Sequence, residues 1–455
     1  MPPSVCPDVK SARLSAQAYA ERFADAVPPL SAAQAVVEAE RCLYCYDAPC
    51  QTACPTGIDV PSFIRRIADG NLRGAAETIL DSNPLGGMCA RVCPTEELCE
   101  AVCVRNTQLG QPVQIGRLQR VAVDSVQPAG AQPLFERAPA TGKQVAVVGA
   151  GPAGLACAHI LARLGHEVTV YDAREKAGGL NEYGLATYKT AGDYAQREVA
   201  WLMSIGGITL RTGAPLSDAA GLAALQASHD AVFLGLGLGA TRQLGLSYEP
   251  SLSGVRDAVD FIAELRQAPS PAEVPVGRRV VVIGGGMTAV DAAVQAKLLG
   301  AEVVTMVYRR GPEAMSASVE EQHWAQQQGV TIRHGLSPQA LHDDGQGHVR
   351  GVHFVKTDAP DVSETLEADM VLKAIGQTFV ASPWAQAGLA MSEGRLQVDA
   401  QGRTSVPGVW AGGDCRAGGR DLTVEAVEDG KQAALSIHAA LGTAATQTMT
   451  PTKEQ

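Results

Sequence analysis

The sequence is poor in aromatic side chains and in positive charge. Phe, Trp and Tyr make up 4% of its 455 residues, and 37 Lys and Arg are outnumbered by 48 Asp and Glu, which gives a net charge of −11. Such an acidic chain is a poor match for nucleic acid or an anionic membrane. It also lacks the run of about 18 apolar residues that a membrane span requires, and its first residues lack the apolar core of a signal peptide. These absences predict a cytoplasmic protein that binds neither nucleic acid nor membrane.

Histidine is missing from the most unusual segment of the chain. Eight of the eleven cysteines lie between residues 42 and 103, with no histidine among them. Disulfides are rare in the cytoplasm, so clustered thiols there favour metal ligands or redox groups. Sets of four thiolates suit iron–sulfur clusters. Two all-cysteine zinc sites are the alternative, but structural zinc would leave the nucleotide-binding segments that follow unexplained. The two sets are Cys42, Cys45, Cys50 and Cys54, then Cys89, Cys93, Cys99 and Cys103, while Cys6, Cys157 and Cys415 are interpreted as unpaired thiols.

A glycine turn of the form GxGxxG follows, between a predicted strand and a predicted helix, and its glycines are Gly149, Gly151 and Gly154. Glycine permits the tight turn and lets backbone amides reach a pyrophosphate at the helix N-terminus. Asp172 ends the next strand, where an acid can bind an adenosine ribose. Gly179 suits a further close approach of the backbone. The pattern predicts a dinucleotide site.

The far end of the chain favours FAD over NAD at this first site. In the run VWAGGDCRAGG, Asp414 follows a short strand and precedes a helix. This run is similar to the second FAD signature of two-dinucleotide flavoprotein reductases, in which such an Asp bonds the ribityl chain of the flavin. The alternative for Asp414 is a helix N-cap or turn residue.

A second unit of the same kind contains GxGxxA, formed by Gly284, Gly286 and Ala289. Its second strand ends in Arg309 and Arg310 instead of an acid. Guanidinium groups suit the oxygens of a 2′-phosphate, which locally favours NADPH; the alternative is an arginine in solvent or paired with Glu313. Gly376 is expected to close this domain against the first. Neither unit carries a CxxC, so the adjacent sulfurs of a dithiol-exchanging reductase are missing.

These patterns predict an α/β fold preceded by an all-helical iron–sulfur domain, with two Rossmann-like domains of the glutathione reductase type. The helical domain is expected at residues 1–125 and a linker rich in Pro, Ala and Gly at 126–142. The FAD-binding domain takes 143–276 and 375–443, with the NAD(P)H-binding domain inserted at 277–374. Residues 444–455 are expected to be a disordered tail.

The cysteine segment also resembles a known family. The run from CLYCYDAPCQTACPTG through GMCARVCPTEELCEAVC to IGRLQR closely resembles the N-terminal part of dihydropyrimidine dehydrogenase, and the resemblance extends over about residues 40–440. The broader family includes the small subunit of glutamate synthase. In the animal enzyme a flavin-binding barrel and a ferredoxin-like segment follow, and in bacteria they form a separate large subunit. The chain is therefore similar to the bacterial small subunit.

The resemblance implies which residues hold the iron. One 4Fe–4S cluster would be bound by Cys42, Cys45, Cys50 and Cys103. In the other, the amide oxygen of Gln119 would join three cysteines, Cys54, Cys93 and Cys99. Cys89 would then not be a ligand. From residue type alone, Gln119 would be an exposed helical glutamine.

The resemblance also implies the nucleotide contacts. For FAD they are Gly149, Ala150, Gly151, Pro152, Ala153, Gly154, Asp172, Gly179, Leu180, Lys189, Leu216, Gly413, Asp414 and Thr423. For NAD(P)H they are Gly284, Gly286, Thr288, Arg309, Arg310 and Gly376. Two positions depart from the animal pattern, since Met287 replaces an acid and Ser316 replaces a basic residue expected near the 2′-phosphate. Because that loss weakens NADPH recognition, and the bacterial two-subunit enzymes are NADH-linked, NADH is the expected donor.

The expected function is electron entry. NAD(P)H would give a hydride to FAD, and the clusters would pass single electrons to a large PreA-type partner subunit, whose FMN and iron–sulfur clusters serve the reduction of uracil or thymine. Hydride transfer needs alignment and no general acid or base, so no catalytic side chain is predicted. A hetero-oligomer is expected. The alternatives are the glutamate synthase small subunit, a stand-alone NAD(P)H:ferredoxin or sulfide-linked reductase, and a flavin-free scaffold that retains inactive Rossmann folds.

Overall fold

The computed structural model describes residues 14–127, 133–246 and 252–442. Cys6 and the predicted disordered tail at 444–455 lie outside the described residues.

The N-terminal region is helical. Helix α4 shows why, because its apolar residues recur on one face and are buried in the domain core, and Asp59 caps its start by accepting a hydrogen bond from the Ser62 N–H. No strand occurs within residues 14–127, which confirms the predicted all-α domain. Its helices are α1 (Ala16–Arg22), α2 (Ala32–Ala39), α3 (Pro49–Ala53), α4 (Val60–Ala68), α5 (Leu72–Ser82), α6 (Gly86–Val92), α7 (Val104–Leu109) and α8 (Ile115–Asp124).

Helices and strands alternate in the rest of the chain. Residues 144–241 form β1 (Gln144–Val148), α9 (Pro152–Arg163), β2 (Glu167–Tyr171), α10 (Leu180–Tyr183), α11 (Tyr194–Met203), β3 (Ile208–Arg211), α12 (Ala219–Ser228), β4 (Ala231–Leu234) and β5 (Ala240–Thr241). Residues 255–378 form β6 (Val255–Asp257), α13 (Ala258–Gln267), β7 (Arg279–Ile283), α14 (Met287–Leu298), β8 (Val303–Tyr308), α15 (Val319–Gln327), β9 (Thr331–His334), β10 (Leu336–Asp343), β11 (Val349–Lys356), β12 (Ser363–Glu367), β13 (Met370–Lys373) and β14 (Gln377–Thr378). The last elements are α16 (Ser382–Gln386), β15 (Met391–Ser392), β16 (Arg395–Leu396), β17 (Val409–Ala411) and α17 (Thr423–Ala440).

These elements build two α/β bodies. The first body has a parallel sheet in the order β17-β4-β1-β2-β3, with α9 and α17 packed together on it. Its inner strand β1 is an almost continuous apolar run, as expected for a strand covered on both faces. Because β17 comes from the C-terminal segment, the second body is inserted in the first. The predicted fold class is confirmed.

The second body repeats this sheet in the order β6-β13-β7-β8-β9 and adds an antiparallel sheet, β10-β11-β12. It begins at β6, earlier than residue 277, where the sequence analysis places the boundary. The reason is that β6 has three residues and no glycine turn after it, so the sequence pattern does not mark it. The chain leaves the first body at β5 and returns at β14, and these two strands pair antiparallel.

The described part of the predicted linker lies along the first body. The Ala138 N–H donates to the Arg163 carbonyl at 2.8 Å, and the Arg137 side chain donates to the Ala162 carbonyl at 3.1 Å. These bonds fix residues 133–142 where the helical domain meets the sheet. Among the described helices, none has the length and apolar character to cross a membrane.

Candidate functional site

The first glycine turn leaves no room for a side chain at two of its three glycines. A Cβ on Gly149 would lie 2.1 Å from the Gly235 carbonyl oxygen, and one on Gly154 would lie 1.8 Å from the Gly149 carbonyl oxygen. At Gly151 a Cβ would meet no atom of the described residues closer than 3.8 Å. The protein itself therefore does not require glycine at Gly151, whereas a phosphate that approaches the backbone does. Gly151 is also the N-cap of α9 and no side chain caps this helix, so its first N–H groups are available to an anion.

Asp172 lies beside this turn. One carboxylate oxygen accepts a hydrogen bond from the Ala150 N–H at 2.7 Å, and the other accepts from the Arg174 N–H at 2.8 Å. These bonds orient the carboxylate and leave lone pairs for ribose hydroxyls. A Cβ on Gly179 would lie 2.7 Å from the Gly151 Cα, so the backbone at Gly179 covers the turn as the sequence predicts.

The C-terminal segment closes the same site. A Cβ on Gly413 would lie 3.0 Å from the Ala153 Cβ, and Thr423, the first residue of α17, donates to the Asn181 side-chain oxygen at 3.0 Å. Burial raises the pKa of the Asp414 carboxyl to about 7, and no described residue donates a hydrogen bond to it. A ligand with hydroxyl groups, such as the ribityl chain of FAD, would supply the missing donors.

Leu180 and Leu216 lie at the edge of this group. Leu180 follows Gly179 directly and begins α10. Leu216 lies two residues beyond Ala214, whose N–H donates to the Asp172 carbonyl oxygen at 2.8 Å. Leu216 is therefore near the end of β2, and Leu180 lies next to the Gly179 backbone that covers the glycine turn.

Lys189 is apart from the other predicted FAD residues. Its Nζ lies 2.8 Å from an Asp291 carboxylate oxygen and 2.5 Å from a Glu321 carboxylate oxygen. Both acids belong to helices of the second body. The structure thus brings the glycines, the acid of β2 and the C-terminal turn together, and it places Lys189 at the contact between the bodies.

The second glycine turn has the same backbone design. A Cβ on Gly284 would lie 2.2 Å from the Ala374 carbonyl oxygen, whereas a Cβ on Gly286 would meet only the Ser316 Oγ, at 3.1 Å. Gly286 is the N-cap of α14, which also has no side-chain cap, and Thr288 lies in the first turn of that helix. The free N–H groups and the space at Gly286 fit a second pyrophosphate.

Gly376 lies where the chain returns from the second body to the first. It has a φ of +102°, which favours glycine, and its carbonyl oxygen accepts a hydrogen bond from the Arg242 N–H at 3.1 Å. Arg242 follows β5 and Gly376 precedes β14, so this bond extends the ribbon that joins the bodies. The position agrees with the predicted closing of one domain against the other.

Arg309 and Arg310 follow β8 with exposed side chains. Within the described chain, no ion pair joins either one to Glu313. The Ser316 N–H donates to the Gly285 carbonyl oxygen at 3.1 Å, so the loop that contains Ser316 covers the glycine turn. In the sequence, Ser316 stands out only as a missing base, and nothing there indicates this covering role.

The first cluster predicted from the resemblance corresponds to one cavity. Apart from Arg105, the rest of its lining is apolar, and it brings Cys103 to three cysteines of the first sequence group, Cys42, Cys45 and Cys50. Burial raises the pKa of the Cys50 thiol to about 11, so the positive charge of iron is needed to hold it as a thiolate. Within the described residues, no three His, Cys, Asp or Glu side chains form a site for a single metal ion. A 4Fe–4S cluster instead presents one iron to each of four separated thiolates.

Cys54, Cys93 and Cys99 form a second group, and Cys89 lies with them. Burial, together with neighbouring acidic groups that include the Cys54 thiol, raises the pKa of Cys99. A hydrogen bond with the Cys89 thiol is the main cause of the raised pKa of Cys93. Cys89 is 2% exposed and packs against Val424 of α17. Position alone therefore makes Cys89 a candidate for the fourth ligand, beside the Gln119 that the resemblance implies.

Gln119 lies on the buried face of α8 and is 8% exposed. Its Nε2 donates to the Gly86 carbonyl oxygen at 2.7 Å. Since a carbonyl only accepts, the amide nitrogen must face Gly86 and the Oε1 must point elsewhere. No described residue donates to this oxygen. The exposed glutamine expected from residue type is wrong, and the oxygen is available to iron, as the resemblance implies.

Lys431 is a site residue that the sequence analysis missed. Its Nζ, on α17, donates to the Thr56 carbonyl at 2.8 Å and to the Ser82 carbonyl at 3.0 Å. Both carbonyls belong to the helical domain, and the Thr56 hydroxyl lies 3.3 Å from the Cys54 Sγ. Lys431 therefore ties the first body to the loop that carries Cys54. The run DGKQAA gives no local signal for a contact so distant in sequence.

Comparison with protein families agrees with this arrangement. Residues 143–430 match the pyridine nucleotide-disulphide oxidoreductases, and residues 19–131 match the domain described as dihydropyrimidine dehydrogenase domain II, 4Fe-4S cluster. The iron–sulfur prediction is confirmed over zinc, and so are FAD and NAD(P)H as cofactors and the class of oxidoreductase. The glycine turns and the thiol cavity provide the corresponding sites.

Individual relatives cover nearly the whole chain. The NAD-dependent dihydropyrimidine dehydrogenase subunit PreT of Salmonella typhimurium is 35% identical over 422 residues, which are 93% of this chain and 97% of that protein. The glutamate synthase (NADPH) small chain of Escherichia coli is 33% identical over 449 residues, 91% and 93% of the two chains. The crystal structure of T. acidophilum thioredoxin reductase matches 66% of this chain and 100% of its own, with a TM-score of 0.54 and 21% identity, and shows the fold alone. The chain belongs to the pyridine nucleotide-disulphide oxidoreductase family, in the branch that joins this fold to a 4Fe–4S domain and includes the PreT subunits.

Proposed function

We propose that this chain is the electron-entry subunit of an NAD-dependent dihydropyrimidine dehydrogenase in the cytoplasm. It would oxidise NADH and deliver electrons to a large PreA-type subunit that carries FMN and iron–sulfur clusters and reduces uracil or thymine. The PreT relative is named as a subunit, which supports a hetero-oligomer. When bound, FAD accepts a hydride and releases its two electrons one at a time, as the clusters require.

Helix α17 is the observation that carries this proposal, because it joins the predicted FAD site to the second cysteine group. It packs along α9, the helix behind the first glycine turn. At its start, Leu422 and Val424 flank Thr423, a predicted FAD contact, and pack in one apolar group with Cys93. This packing supports a second cysteine group next to the predicted FAD site, from which an electron would have a short path into the helical domain.

The cavity of Cys42, Cys45, Cys50 and Cys103 is bordered by exposed apolar side chains. This surface supports its role as the place where electrons leave for a partner. Half of the twelve large hydrophobic residues that are exposed in the described chain belong to the helical domain. Leu43 lines the thiol cavity, Tyr46 follows Cys45 and is fully exposed, and Val102 precedes Cys103. Exposed apolar surface around a redox site is typical of a docking face for another protein.

The task of this chain's own residues is to bind and align. The two glycine turns offer backbone N–H groups to two pyrophosphates, and Asp172 and Asp414 offer oriented carboxylates to hydroxyl groups. Hydride transfer gains its rate from alignment of the reacting rings, so the proposal needs no acid or base side chain.

The direct test combines the purified chain with a PreA-type subunit, NADH and uracil under anaerobic conditions. We expect dihydrouracil only when both subunits are present, while the chain alone oxidises NADH with ferricyanide as the acceptor. Dihydrouracil formed by either subunit alone would contradict the proposal. A mixture that consumes NADH at the same rate with and without uracil would contradict it as well.

A second candidate is the small subunit of a glutamate synthase, because that relative is nearly as similar as PreT. The electron chemistry would be the same, and the partner would be a large glutamine-hydrolysing chain. Formation of glutamate from glutamine and 2-oxoglutarate with such a chain, in place of uracil reduction, would establish it.

The ligand assignment is a separate proposal, with two 4Fe–4S clusters held by Cys42, Cys45, Cys50 and Cys103 and by Cys54, Cys93, Cys99 and Gln119. We expect Cys89→Ala to keep about eight iron atoms per chain and both EPR signals of the reduced protein. Gln119→Ala should alter one signal, and Cys93→Ala, the control, should remove it. If Cys89→Ala loses a cluster and Gln119→Ala does not, Cys89 is the fourth ligand.

A further inference from the structure

Residues 182–190, which we call the clasp, belong to the first body by chain position and contact the second. They lie between β2 and α11. The Ala186 N–H donates to an Asp291 carboxylate oxygen at 3.1 Å, and the Thr187 N–H donates to the Gln295 side-chain oxygen at 3.1 Å. The Arg266 guanidinium, on α13, donates to the Thr190 hydroxyl at 2.6 Å. Helices α13 and α14 of the second body thus hold a segment of the first.

Lys189 completes these contacts with a buried ion cluster. Its ammonium group lies between Asp291 on α14 and Glu321 on α15, and the Tyr188 hydroxyl donates to Asp291 at 3.3 Å. The side chains of Lys189 and Asp291 are 18% and 3% exposed. Burial alone would lower the pKa of Lys189, but the two carboxylates outweigh it and the pKa is raised, so the lysine is charged. Separation of the bodies would leave buried charges unpaired, which is strongly unfavourable.

The clasp connects the two nucleotide sites. It begins three residues after Gly179, which covers the first glycine turn. It also contacts α14, whose N-terminus forms the second glycine turn. The ribbon of β5 and β14 that also joins the bodies has two residues in each strand. A ribbon this short is too weak to fix the angle between two bodies. The clasp supplies the additional contacts that can fix it.

We propose that Lys189, Asp291 and Glu321 are positioning residues that hold the second body against the first in the arrangement that hydride transfer requires. This inference rests on the proposed function only in that NADH and FAD occupy the two glycine turns. The reacting atoms must come within about 3–3.5 Å, and a misplacement of about 1 Å can cost about 100-fold in rate. Disruption of the ion cluster should therefore slow flavin reduction more than it weakens the binding of either nucleotide.

The test compares Lys189→Met, Asp291→Asn and Lys189→Arg with the unchanged protein. Anaerobic stopped-flow measurements give the rate of FAD reduction at saturating NADH and its isotope effect with 4-deuterated NADH. We expect the first two variants to reduce FAD at least about tenfold more slowly, with a larger isotope effect and with FAD content and NADH Kd within about twofold. Lys189→Arg keeps the charge and should restore most of the rate. Arg333→Met is the matched control, because its pair with Glu364, at 2.7 Å, lies wholly within the second body.

A second readout does not depend on activity. Limited proteolysis near the β5–β14 ribbon should be faster in Lys189→Met and Asp291→Asn than in Arg333→Met, because loss of the ion cluster frees the second body. If Lys189→Met does not fold, Asp291→Asn carries the test, since an asparagine oxygen can still accept from the Ala186 N–H.

Unchanged rates and isotope effects in Asp291→Asn would overturn the proposal. A slower rate that is fully accounted for by loss of FAD would overturn it as well. The same preparations are assayed with ferricyanide, which needs no partner subunit. The clasp variants could therefore slow flavin reduction as expected while the mixture with the partner subunit fails to reduce uracil. That outcome would contradict the proposed function and retain the positioning role.

Discussion

The two glycine turns share a backbone design and differ in what surrounds it. Beside the first turn, two backbone N–H groups orient the carboxylate of Asp172. Beside the second, Arg309 and Arg310 extend into solvent. The first turn is enclosed by a C-terminal segment that contains Asp414, whereas the second is covered by the single loop at Ser316. The same strand–turn–helix unit can thus serve a retained cofactor in one body and an exchanging one in the other.

The outer strands of the two sheets extend this comparison. β17 and β6 occupy the same place in their sheets, and an acid stands at or just after the end of each. Asp257, at the end of β6, accepts a hydrogen bond from the Thr241 hydroxyl at 2.9 Å and lies 3.3 Å from the Lys373 ammonium. Asp414, after β17, has no such donors among the described residues. The protein pairs one acid with its own side chains, and we propose that the other pairs with a ligand.

Matched alanine substitutions at the second glycine of each turn should give the largest effects. A methyl group at Gly151 or Gly286 would occupy the space left for a pyrophosphate. We expect Gly151→Ala to weaken FAD binding by about 100-fold or more, equivalent to about 3 kcal/mol, so that the purified protein loses its bound flavin. Gly286→Ala should keep FAD and raise the KM for NADH by about tenfold. FAD content and steady-state kinetics measure the two outcomes.

Gly154→Ala is the control for this pair, because its Cβ would meet the Gly149 carbonyl oxygen at 1.8 Å. It should lower the melting temperature as well as FAD content, whereas Gly151→Ala should lower only the FAD content of the purified protein. If Gly286→Ala loses FAD and Gly151→Ala retains it, the roles of the two bodies are reversed.

The arginines of the second turn allow a smaller test of coenzyme choice. Since Ser316 stands where a third base is expected, the unchanged chain should prefer NADH. Ser316→Arg should raise kcat/KM for NADPH by about 10- to 100-fold, the value of one charge-assisted hydrogen bond. Arg309→Ala should lower kcat/KM for NADPH and leave the value for NADH within about twofold. A KM for NADH well above that for NADPH in the unchanged protein would contradict the preference.

The elements that the sequence predicted well are those with a local steric cause. Gly149, Gly154 and Gly284 must be glycine because backbone carbonyl oxygens lie where a Cβ would be, so their spacing marks strand, turn and helix together. β6 carries no such requirement, and the start of the second body was therefore placed too late. The described part of the helical domain, residues 14–125, was predictable as helical because apolar side chains recur on one face, as in α4.

Contacts between segments distant in sequence were harder to predict from the sequence. Spacing alone grouped Cys54 with Cys42, whereas the folded chain puts Cys103 in the cavity of Cys42; only the family resemblance anticipated this exchange. Lys189 binds acids and Lys431 binds backbone carbonyls that lie more than a hundred residues away in sequence. Nothing in their immediate sequence distinguishes them from surface lysines, since the acids and carbonyls that bind them are brought near only by the packing of bodies and domains.

The last and smallest effect is a pH dependence at Asp414. In the free protein burial raises its pKa to about 7, above the ordinary value of about 3.9. The stability that this group contributes is present below about pH 4 and is lost as the pH rises to about 7, so the apoprotein should be less stable at pH 8 than at pH 6. FAD hydroxyls that donate to the carboxylate would favour its ionised form. FAD should therefore bind more tightly as the pH rises, by about tenfold between pH 6 and pH 8.

Titration of the apoprotein with FAD at both pH values measures this dependence. Asp414→Asn cannot ionise and should bind FAD with nearly equal affinity at pH 6 and pH 8. Asp257→Asn is the matched control, because the carboxylate of Asp257 already pairs with Thr241 and Lys373. This variant should keep the tenfold pH dependence of FAD binding. If Asp414→Asn retains the dependence, another group titrates on FAD binding, and the contrast between the two outer acids has no bearing on the ligand. If only Asp257→Asn abolishes the pH dependence, the acid that pairs with the bound ligand is in the second body.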